Sequence, residues 1–480
     1  MRRLLFVLGL SASMIGCGAT ATSNPQAPSQ AVATDGNPSV QSVVADGPSN
    51  PNAPWVGAAA ASDAFLPGAQ DTFVAVWVDV PTASAKVTQA PAAVSLVIDT
   101  SGSMAGDKIV HARQAAVKLV ESLRDGDIVS IHTFSDGVQE RVAPVKLDAR
   151  SRQQIAGIVA ELKPEGGTNL FEGVRVAGMT AMGTPATHPI KRVVLISDGN
   201  ATVGTTSVDM IGMLGEKAGD RSVQITTIGV GLDYNEQALN RLAMKSSGRL
   251  YHLTDSKNLP EIVQSEVALL KSTRAANAKV AIVPAPGVEL VGVDGMRARP
   301  AADGTFEVPL GAMFAGEHKE FVVRARLRAP DSGSHPIASV RLVFNDPSEG
   351  NLERVQEAVA RFDVVNDATV AQASRNTKAQ GVFAMIDASI TAERAAVAMN
   401  EDRFGEAEKD LAVTEEKLRM AAKASTSSSD KKRLEATAQR VSQARAGGSA
   451  AAAAPAPKKA EMRRKAALDA NDAAMEFSGH

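Results

Sequence analysis

Between residues 93 and 271 the chain alternates short apolar runs with segments of helical periodicity, and no other feature of the sequence constrains the fold as strongly. The runs Val94–Ile98, Asp127–Phe134 and Arg192–Ser197 are largely apolar, which is typical of strands buried on both faces of a sheet. Lys108–Leu123 lies between the first two runs and places apolar side chains at helical spacing. The pattern predicts an α/β fold with a doubly wound, mostly parallel sheet. Such sheets bind ligands beyond the carboxyl ends of their strands.

A second pattern follows the α/β region. Residues 273–365 contain short β segments separated by Gly, Pro and Asp turns, which predicts an antiparallel β-sandwich. The segment Thr72–Val80 is also rich in β-forming residues, but it has no partner strand before the α/β region begins. We therefore expect residues 69–90 to pair with the sandwich, so that an α/β domain of residues 91–272 is inserted between sandwich strands.

The remaining segments differ in composition. Residues 17–68 are rich in Ala, Pro, Ser, Asn and Gly without periodicity, which predicts a disordered tether. Residues 366–446 have helical spacing and are expected to form a helical hairpin. Residues 447–480 contain an Ala, Pro and Lys tract and are predicted to be a disordered tail.

The first 16 residues have the pattern of a signal peptide, with Arg2 and Arg3 before a short apolar run. Met14-Ile15-Gly16-Cys17 resembles the lipobox of bacterial lipoproteins, in which the cysteine becomes the acylated N-terminus. The resemblance implies a bacterial cell-envelope protein anchored through a lipid on Cys17, and Gly18 after the cysteine favours the outer membrane. The small residues Ala19-Thr20-Ala21 offer a competing cleavage site that would discard Cys17.

Composition excludes several classes of function. Cys17 is the only cysteine, so neither an internal disulfide framework nor a Cys-rich metal site can form. The formal net charge of −2 argues against a nucleic-acid binder, and an aromatic content of 4% argues against a base-stacking or sugar-stacking surface.

Oxygen-bearing side chains follow the predicted strands. Asp99-Thr100-Ser101-Gly102-Ser103 comes directly after the first strand, and Asp198 follows the strand that ends at Ser197. Thr168 stands in a Gly-Gly-Thr loop before a predicted helix. Because hard divalent cations prefer oxygen ligands, this arrangement predicts a metal site at the carboxyl edge of the sheet.

These motifs over residues 92–271 resemble the von Willebrand factor type A (vWA) domain with its metal-ion-dependent adhesion site. The resemblance implies that Ser101 and Ser103 coordinate the metal directly. It implies that Thr168 coordinates it directly when a ligand is bound, and that Asp99 and Asp198 act directly or through water. Mg²⁺ is the expected metal; Mn²⁺ would suit the same oxygens, and Ca²⁺ would need more ligands. The resemblance further implies a binding module whose partner protein presents an acidic residue to the metal.

Two alternatives remain open. The chain could be a structural scaffold of an envelope complex without a metal-dependent ligand, an architecture loosely similar to the heavy chains of the inter-α-trypsin inhibitor. It could also be a metal-dependent hydrolase, although the sequence contains no Gly-x-Ser-x-Gly elbow, no phosphate loop ending in Lys-Ser/Thr and no His-Glu-x-x-His motif. We therefore expect no enzymatic activity.

Overall fold

The computed structural model of the chain describes residues 54–82, 90–231, 234–330 and 332–477. The predicted signal peptide, Cys17 and the tether up to residue 53 lie outside the described residues. Within those described ranges, no helix combines the length and the apolar character that crossing a bilayer requires.

Three strands open the described chain: β1 (Val56–Ala60), β2 (Ala64–Phe65) and β3 (Gly68–Asp79). The prediction of a disordered tether up to residue 68 is therefore wrong for its last part. β1 runs antiparallel to β3, and the ring of Trp55 stacks on that of Phe344 with the centroids 4.6 Å apart. The Ala-rich sequence of β1 has a low intrinsic preference for strands, so tertiary pairing holds it in the sheet.

The α/β domain follows. Its elements are β4 (Ala92–Asp99), α1 (Asp107–Ser122), β5 (Ile128–Phe134), β6 (Val138–Lys146), α2 (Ala149–Ala160), α3 (Leu170–Met182), β7 (Ile190–Ser197), α4 (Val208–Gly219), β8 (Val223–Val230), α5 (Glu236–Lys245), β9 (Leu250–Leu253) and α6 (Leu259–Lys271). The sheet order is β6-β5-β4-β7-β8-β9, and of its pairs only β5–β6 is antiparallel. Helices α1, α2 and α6 pack on one face and α3, α4 and α5 on the other. The predicted doubly wound, mostly parallel sheet is confirmed.

Two further sheets form the sandwich. Its remaining strands are β10 (Thr273–Pro284), β11 (Val288–Asp294), β12 (Arg299–Pro300), β13 (Phe306–Phe314), β14 (His318–Ala329), β15 (Gly333–Asp346) and β16 (Leu352–Val364). One sheet has the order β1-β3-β14-β11 and the other β12-β13-β10-β15-β16-β2. Residues from both sheets, such as Val76, Phe321 and Val340, share one apolar core.

Along the sequence, the α/β domain lies between strands of the sandwich. β3 pairs with β14 from Gly68 opposite Ala329 to Asp79 opposite His318, and β2 pairs with β16. The α/β domain is thus inserted between β3 and β10, as the unpartnered β-rich segment before it had suggested. The two points at which the chain enters and leaves the domain both lie at the sandwich, so the domain is attached through two connections.

The C-terminal part is more extensive than a hairpin. Its helices are α7 (Ala368–Ala373), α8 (Thr377–Asn400), α9 (Phe404–Ala424), α10 (Ser428–Ala452) and α11 (Ala456–Phe477). The prediction of a disordered tail is wrong within the described residues, because α10 and α11 together occupy most of it. Alanine is a good helix former, and several alanines of this segment, such as Ala451, Ala467 and Ala470, are buried in the bundle. Leu468 of α11 belongs instead to the apolar cluster of the α/β domain that contains Leu239.

Candidate metal centre

The candidate site lies where β4 and β7 end. These strands are parallel neighbours, so their carboxyl ends reach the same edge of the sheet. Asp99 is the last residue of β4, and Asp198 directly follows Ser197, the last residue of β7. We call Asp99, Ser101, Ser103, Thr168 and Asp198 the rim site.

The side chain of Asp99 connects the ends of β4 and β7 through hydrogen bonds. One oxygen of its carboxylate, Oδ1, accepts a hydrogen bond from the backbone N–H of Ser101 at 2.8 Å. The other, Oδ2, accepts one from the hydroxyl of Ser197 at 2.7 Å. Asp99 is 0% exposed. Its position therefore fixes the start of the serine loop against the end of β7, and both of its oxygens already have protein donors.

A line of polar atoms runs from this loop to Asp198. The hydroxyl oxygens of Ser101 and Ser103 are 3.0 Å apart, and the hydroxyl of Ser103 donates to Asp198 Oδ1 at 2.8 Å. On the other side, Lys108 Nζ donates to Asp198 Oδ2 at 2.5 Å. Ser101 and Asp198 are buried, whereas Ser103 is exposed, so the line opens to solvent at Ser103.

Thr168 reaches the same place from the loop before α3. Its backbone N–H donates to Thr202 Oγ1 at 2.9 Å, and its carbonyl accepts from the N–H of Thr202 at 3.0 Å. A methyl group placed on Gly199 would lie 3.4 Å from Ser103 Oγ and 3.6 Å from Thr168 Oγ1. The two hydroxyls therefore flank one point next to Asp198.

A glycine allows the two loops to meet. The N–H of Gly102 donates to the carbonyl of Gly166 at 3.0 Å. Gly166 has φ of +72°, a conformation that L side chains rarely adopt, and a Cβ there would lie 2.5 Å from the carboxylate of Asp136. Glycine at this position is thus required both by the backbone and by the space.

Burial raises the pKa of the Asp99 carboxyl above its ordinary value. Hydrogen bonds from Ser101 and Ser197 oppose that shift, and the negative charge of Asp198 adds to it. A buried carboxylate beside a second carboxylate favours a nearby cation, since a positive charge stabilises the ionised form of both.

The donor chemistry fits a hard dication. The rim site offers two carboxylates and three hydroxyls, and Mg²⁺ takes about six oxygens, usually including waters. Within the described ranges, no group of three or more His, Cys, Asp or Glu side chains could hold a metal ion. The fit therefore depends on the serine and threonine hydroxyls. All five residues that the sequence singled out are brought to this edge.

Sequence reasoning missed two residues of this edge. Ser197 holds Asp99, and its position directly before Asp198 was available as a signal. Lys108 was assigned only to a helix, although it stands in the first turn of α1, which follows the serine loop. Only the structure shows that the side chain of Lys108 turns toward Asp198.

Comparisons with known proteins match the α/β domain and the overall fold. Residues 94–265 match the family model of the von Willebrand factor type A domain. A structure titled von Willebrand factor type A from Catenulispora acidiphila aligns with a TM-score of 0.67 and 18% identity, over 89% of this chain and 98% of that one. At this identity the likeness shows the fold alone, and it extends over the sandwich and helices as well as the α/β domain.

Sequence relatives match only part of this chain. The uncharacterized protein sll0103 of Synechocystis sp. is 24% identical over 269 residues, which are 54% of this chain and 63% of that protein. The inter-alpha-trypsin inhibitor heavy chain H4 of Sus scrofa is 30% identical over 187 residues, 37% of this chain and 20% of that protein. The chain thus spans less than two thirds of the length of each of these relatives.

Proposed function

We propose that this chain, whose residues 94–265 form a von Willebrand factor type A domain, is a binding module that captures a partner protein through a divalent metal and an acidic residue of that partner. vWA domains commonly mediate protein interactions, which supports the general class. The observation that carries the finer proposal is the convergence of the five rim-site residues at one edge of the sheet.

The hydroxyls of Ser101 and Ser103 and the carboxylate of Asp198 would hold the metal, with Thr168 beside them. Asp99 would lie behind these ligands and hold the serine loop in position. Its oxygens already accept hydrogen bonds from the Ser101 N–H and the Ser197 hydroxyl. Mg²⁺ is the proposed metal, with Mn²⁺ as a substitute and Ca²⁺ less suited. When bound, the metal supplies an electrostatic contact for a carboxylate of the partner.

The proposal can be tested with a defined probe. A pool of peptides that each contain one glutamate, and a matched pool with glutamine instead, are titrated against the full chain in Mg²⁺ and in EDTA. We expect binding of the glutamate pool only, in Mg²⁺ only. The Ser101→Ala/Ser103→Ala variant should lose this binding.

Ser265→Ala/Ser449→Ala provides the matched control, because these two serines are exposed and each donates a hydrogen bond to a carbonyl of its own helix. Equal binding in EDTA would reject the metal-dependent function and favour the structural-scaffold alternative. Hydrolysis of phosphoesters that depends on Mg²⁺ and on Asp99 would favour the hydrolase.

We further propose that residues 1–16 are a signal peptide and that a lipid on Cys17 anchors the protein in the bacterial cell envelope, at the outer membrane. The lipobox-like sequence supports this. The Cys17→Ser variant should be released from the membrane fraction and should not incorporate labelled fatty acid. A variant that stays in the membrane fraction after a high-salt wash would contradict the anchor.

A further inference from the structure

Lys108 is the starting point of a further inference. It lies in the first turn of α1, and its Nζ atom is 2.5 Å from Asp198 Oδ2. The side chain of Asp198 is 0% exposed, whereas that of Lys108 is 33% exposed. The ammonium group therefore approaches a buried carboxylate of the rim site from the solvent side, beside the proposed metal position.

The place of Lys108 on its helix is unfavourable for a cation. The N-terminal end of a helix carries partial positive charge, so carboxylates are favoured in the first turn and lysines in the last. Lys108 stands in the first turn nonetheless, next to Asp107, the acidic residue that this position favours. The contact with Asp198 compensates for the position, which suggests that Lys108 has a role at the rim site and is more than part of the helix.

The end of the Lys108 side chain lies close to the backbone at Gly231. A methyl group placed on Gly231 would lie 3.8 Å from Lys108 Nζ and 4.0 Å from its Cε. The end of the Lys108 side chain thus lies next to Gly231, the residue that directly follows β8. A Cβ at Gly231 would be in ordinary van der Waals contact with the lysine and would not displace it.

The formal charges of the site indicate how Lys108 affects the binding of the metal and of an anionic ligand. Asp99 and Asp198 together contribute −2, which a dication alone would bring to zero. With Lys108 the loaded site carries +1. A site of net positive charge attracts a carboxylate more strongly than a neutral one, while the lysine repels the metal and competes with it for Asp198.

We propose that Lys108 is a specificity-determining residue of the rim site, which weakens metal binding and strengthens the capture of an anionic ligand by the loaded site. The inference rests on the proposed function and deepens it, because it assigns the preference for acidic partners to a residue outside the five metal-ligand candidates. If the proposal is right, one substitution of Lys108 changes the affinity for the metal and the affinity for the anionic ligand in opposite directions.

The test compares the wild-type full chain with Lys108→Met, which removes the charge, and Lys108→Arg, which keeps it. Calorimetric titration with Mg²⁺ alone should show about tenfold tighter binding for Lys108→Met and near-wild-type binding for Lys108→Arg. At saturating Mg²⁺ for each variant, the glutamate-containing peptide pool should bind about tenfold more weakly to Lys108→Met.

Thermal unfolding adds a readout that a purely structural role would not reproduce. Without metal, Lys108→Met leaves the buried carboxylate of Asp198 without its cationic partner and should lower the melting temperature. Added Mg²⁺ should then raise the melting temperature more in Lys108→Met than in wild type, because tighter binding to the folded state stabilises it more. A purely structural lysine would lower the melting temperature and leave the response to Mg²⁺ unchanged.

The outcomes separate this inference from the proposed function. Equal Mg²⁺ affinity in wild type and Lys108→Met overturns the role of Lys108 and leaves the metal site standing. Binding of Mg²⁺ by Lys108→Met but not by wild type supports the role of Lys108 and contradicts the proposed function. Absence of Mg²⁺ binding in both proteins overturns both proposals.

Discussion

Two groups of buried charges lie at opposite ends of the same strand, and they are built differently. Asp198 follows the end of β7, and Arg192 stands near its start. Arg192 Nη1 donates to Thr226 Oγ1 at 2.8 Å and to Glu266 Oε2 at 3.1 Å. Its Nη2 donates to Gln224 Oε1 at 2.9 Å. We call Arg192, Gln224, Thr226, Tyr251 and Glu266 the base cluster.

The base cluster pairs its opposite charges internally, although Arg192 Nε has no hydrogen-bond partner within the described residues. The side chains of Arg192 and Glu266 are each 1% exposed, and the hydroxyls of Tyr251 and Thr226 donate to Glu266 at 2.6 and 2.7 Å. The cluster joins three strands to α6 at the end of the domain next to the sandwich. The rim site instead has two carboxylates, a single lysine partner shown at Asp198, and an exposed hydroxyl at Ser103.

The base cluster and the rim site show two uses of buried charge within one sheet. Where opposite charges meet with directed hydrogen bonds and no access to solvent, the arrangement specifies the fold. Where two buried carboxylates lie beside hydroxyls that are open to solvent at Ser103, the arrangement leaves a place for an outside cation. The following variants test this distinction, beginning with the largest expected effect.

Glu266→Gln should strongly destabilise the protein while leaving the affinity for Mg²⁺ unchanged. The substitution leaves Arg192 buried without its counter-charge, and breaking a buried pair in this way costs about 3–5 kcal/mol. Urea unfolding measures the loss, and calorimetry measures the metal affinity. A loss below 1 kcal/mol would remove the distinction between the two ends of β7.

Ser101→Ala/Ser103→Ala should have the opposite profile. Mg²⁺ at 100 times its dissociation constant should add about 2.7 kcal/mol to the unfolding free energy of the wild-type protein and close to nothing to that of the variant. Without metal, the two proteins should unfold at similar urea concentrations. A variant that still gains stability from Mg²⁺ would place the metal elsewhere.

The two ends should also respond to pH with opposite signs. Arg192 and Arg249 hold the pKa of Glu266 below its ordinary 4.5 against the effect of burial, so between those values the unfolded state binds more protons and stability rises with pH. Burial raises the pKa of Asp99 above 3.8, so the folded state binds more protons and stability falls as pH rises through the folded pKa.

Metal-free unfolding curves from pH 3 to 7 can separate these contributions. The stability difference between wild type and Glu266→Gln should grow with increasing pH, whereas that between wild type and Asp99→Asn should shrink. Slopes of the same sign for both pairs would contradict the contrast drawn here.

Asp209→Asn should have the smallest effect. Asp209 pairs with Arg241 on the surface of the same domain, and its side chain is 82% exposed. Exposed ion pairs contribute about 0–1 kcal/mol, because water screens them. This variant is the matched control for Glu266→Gln, since both replace a carboxylate that faces an arginine by an amide. A loss as large as that of Glu266→Gln would show that burial is not the deciding factor.

Sequence patterns predicted the parts of the molecule that depend on local order. The strand–helix alternation predicted the α/β sheet, and the residues at the strand ends predicted the rim site. The buried pair of Arg192 and Glu266 could not be predicted, because its partners are 74 residues apart and arginine in a strand more often faces solvent. The contact of Lys108 with Asp198 bridges 90 residues and was missed for the same reason.

Composition was misleading at both ends of the chain. Alanine-rich stretches were interpreted as a tether and a tail, yet Ala60 and Ala470 are 1% and 0% exposed. Small side chains carry a weak hydrophobic signal, and their burial depends on neighbours that local sequence does not reveal. The helix that contains Ala470 also brings Leu468 to the α/β domain, a contact that no periodicity predicts.

The most direct test of the metal-dependent binding function is an anomalous difference map from crystals of the full chain grown with Mn²⁺ in place of Mg²⁺. The account predicts one strong peak bounded by Ser101 Oγ, Ser103 Oγ and a carboxylate oxygen of Asp198, at about 2.0–2.2 Å from the coordinating oxygens. Well-ordered density for these side chains with no peak among them would contradict it.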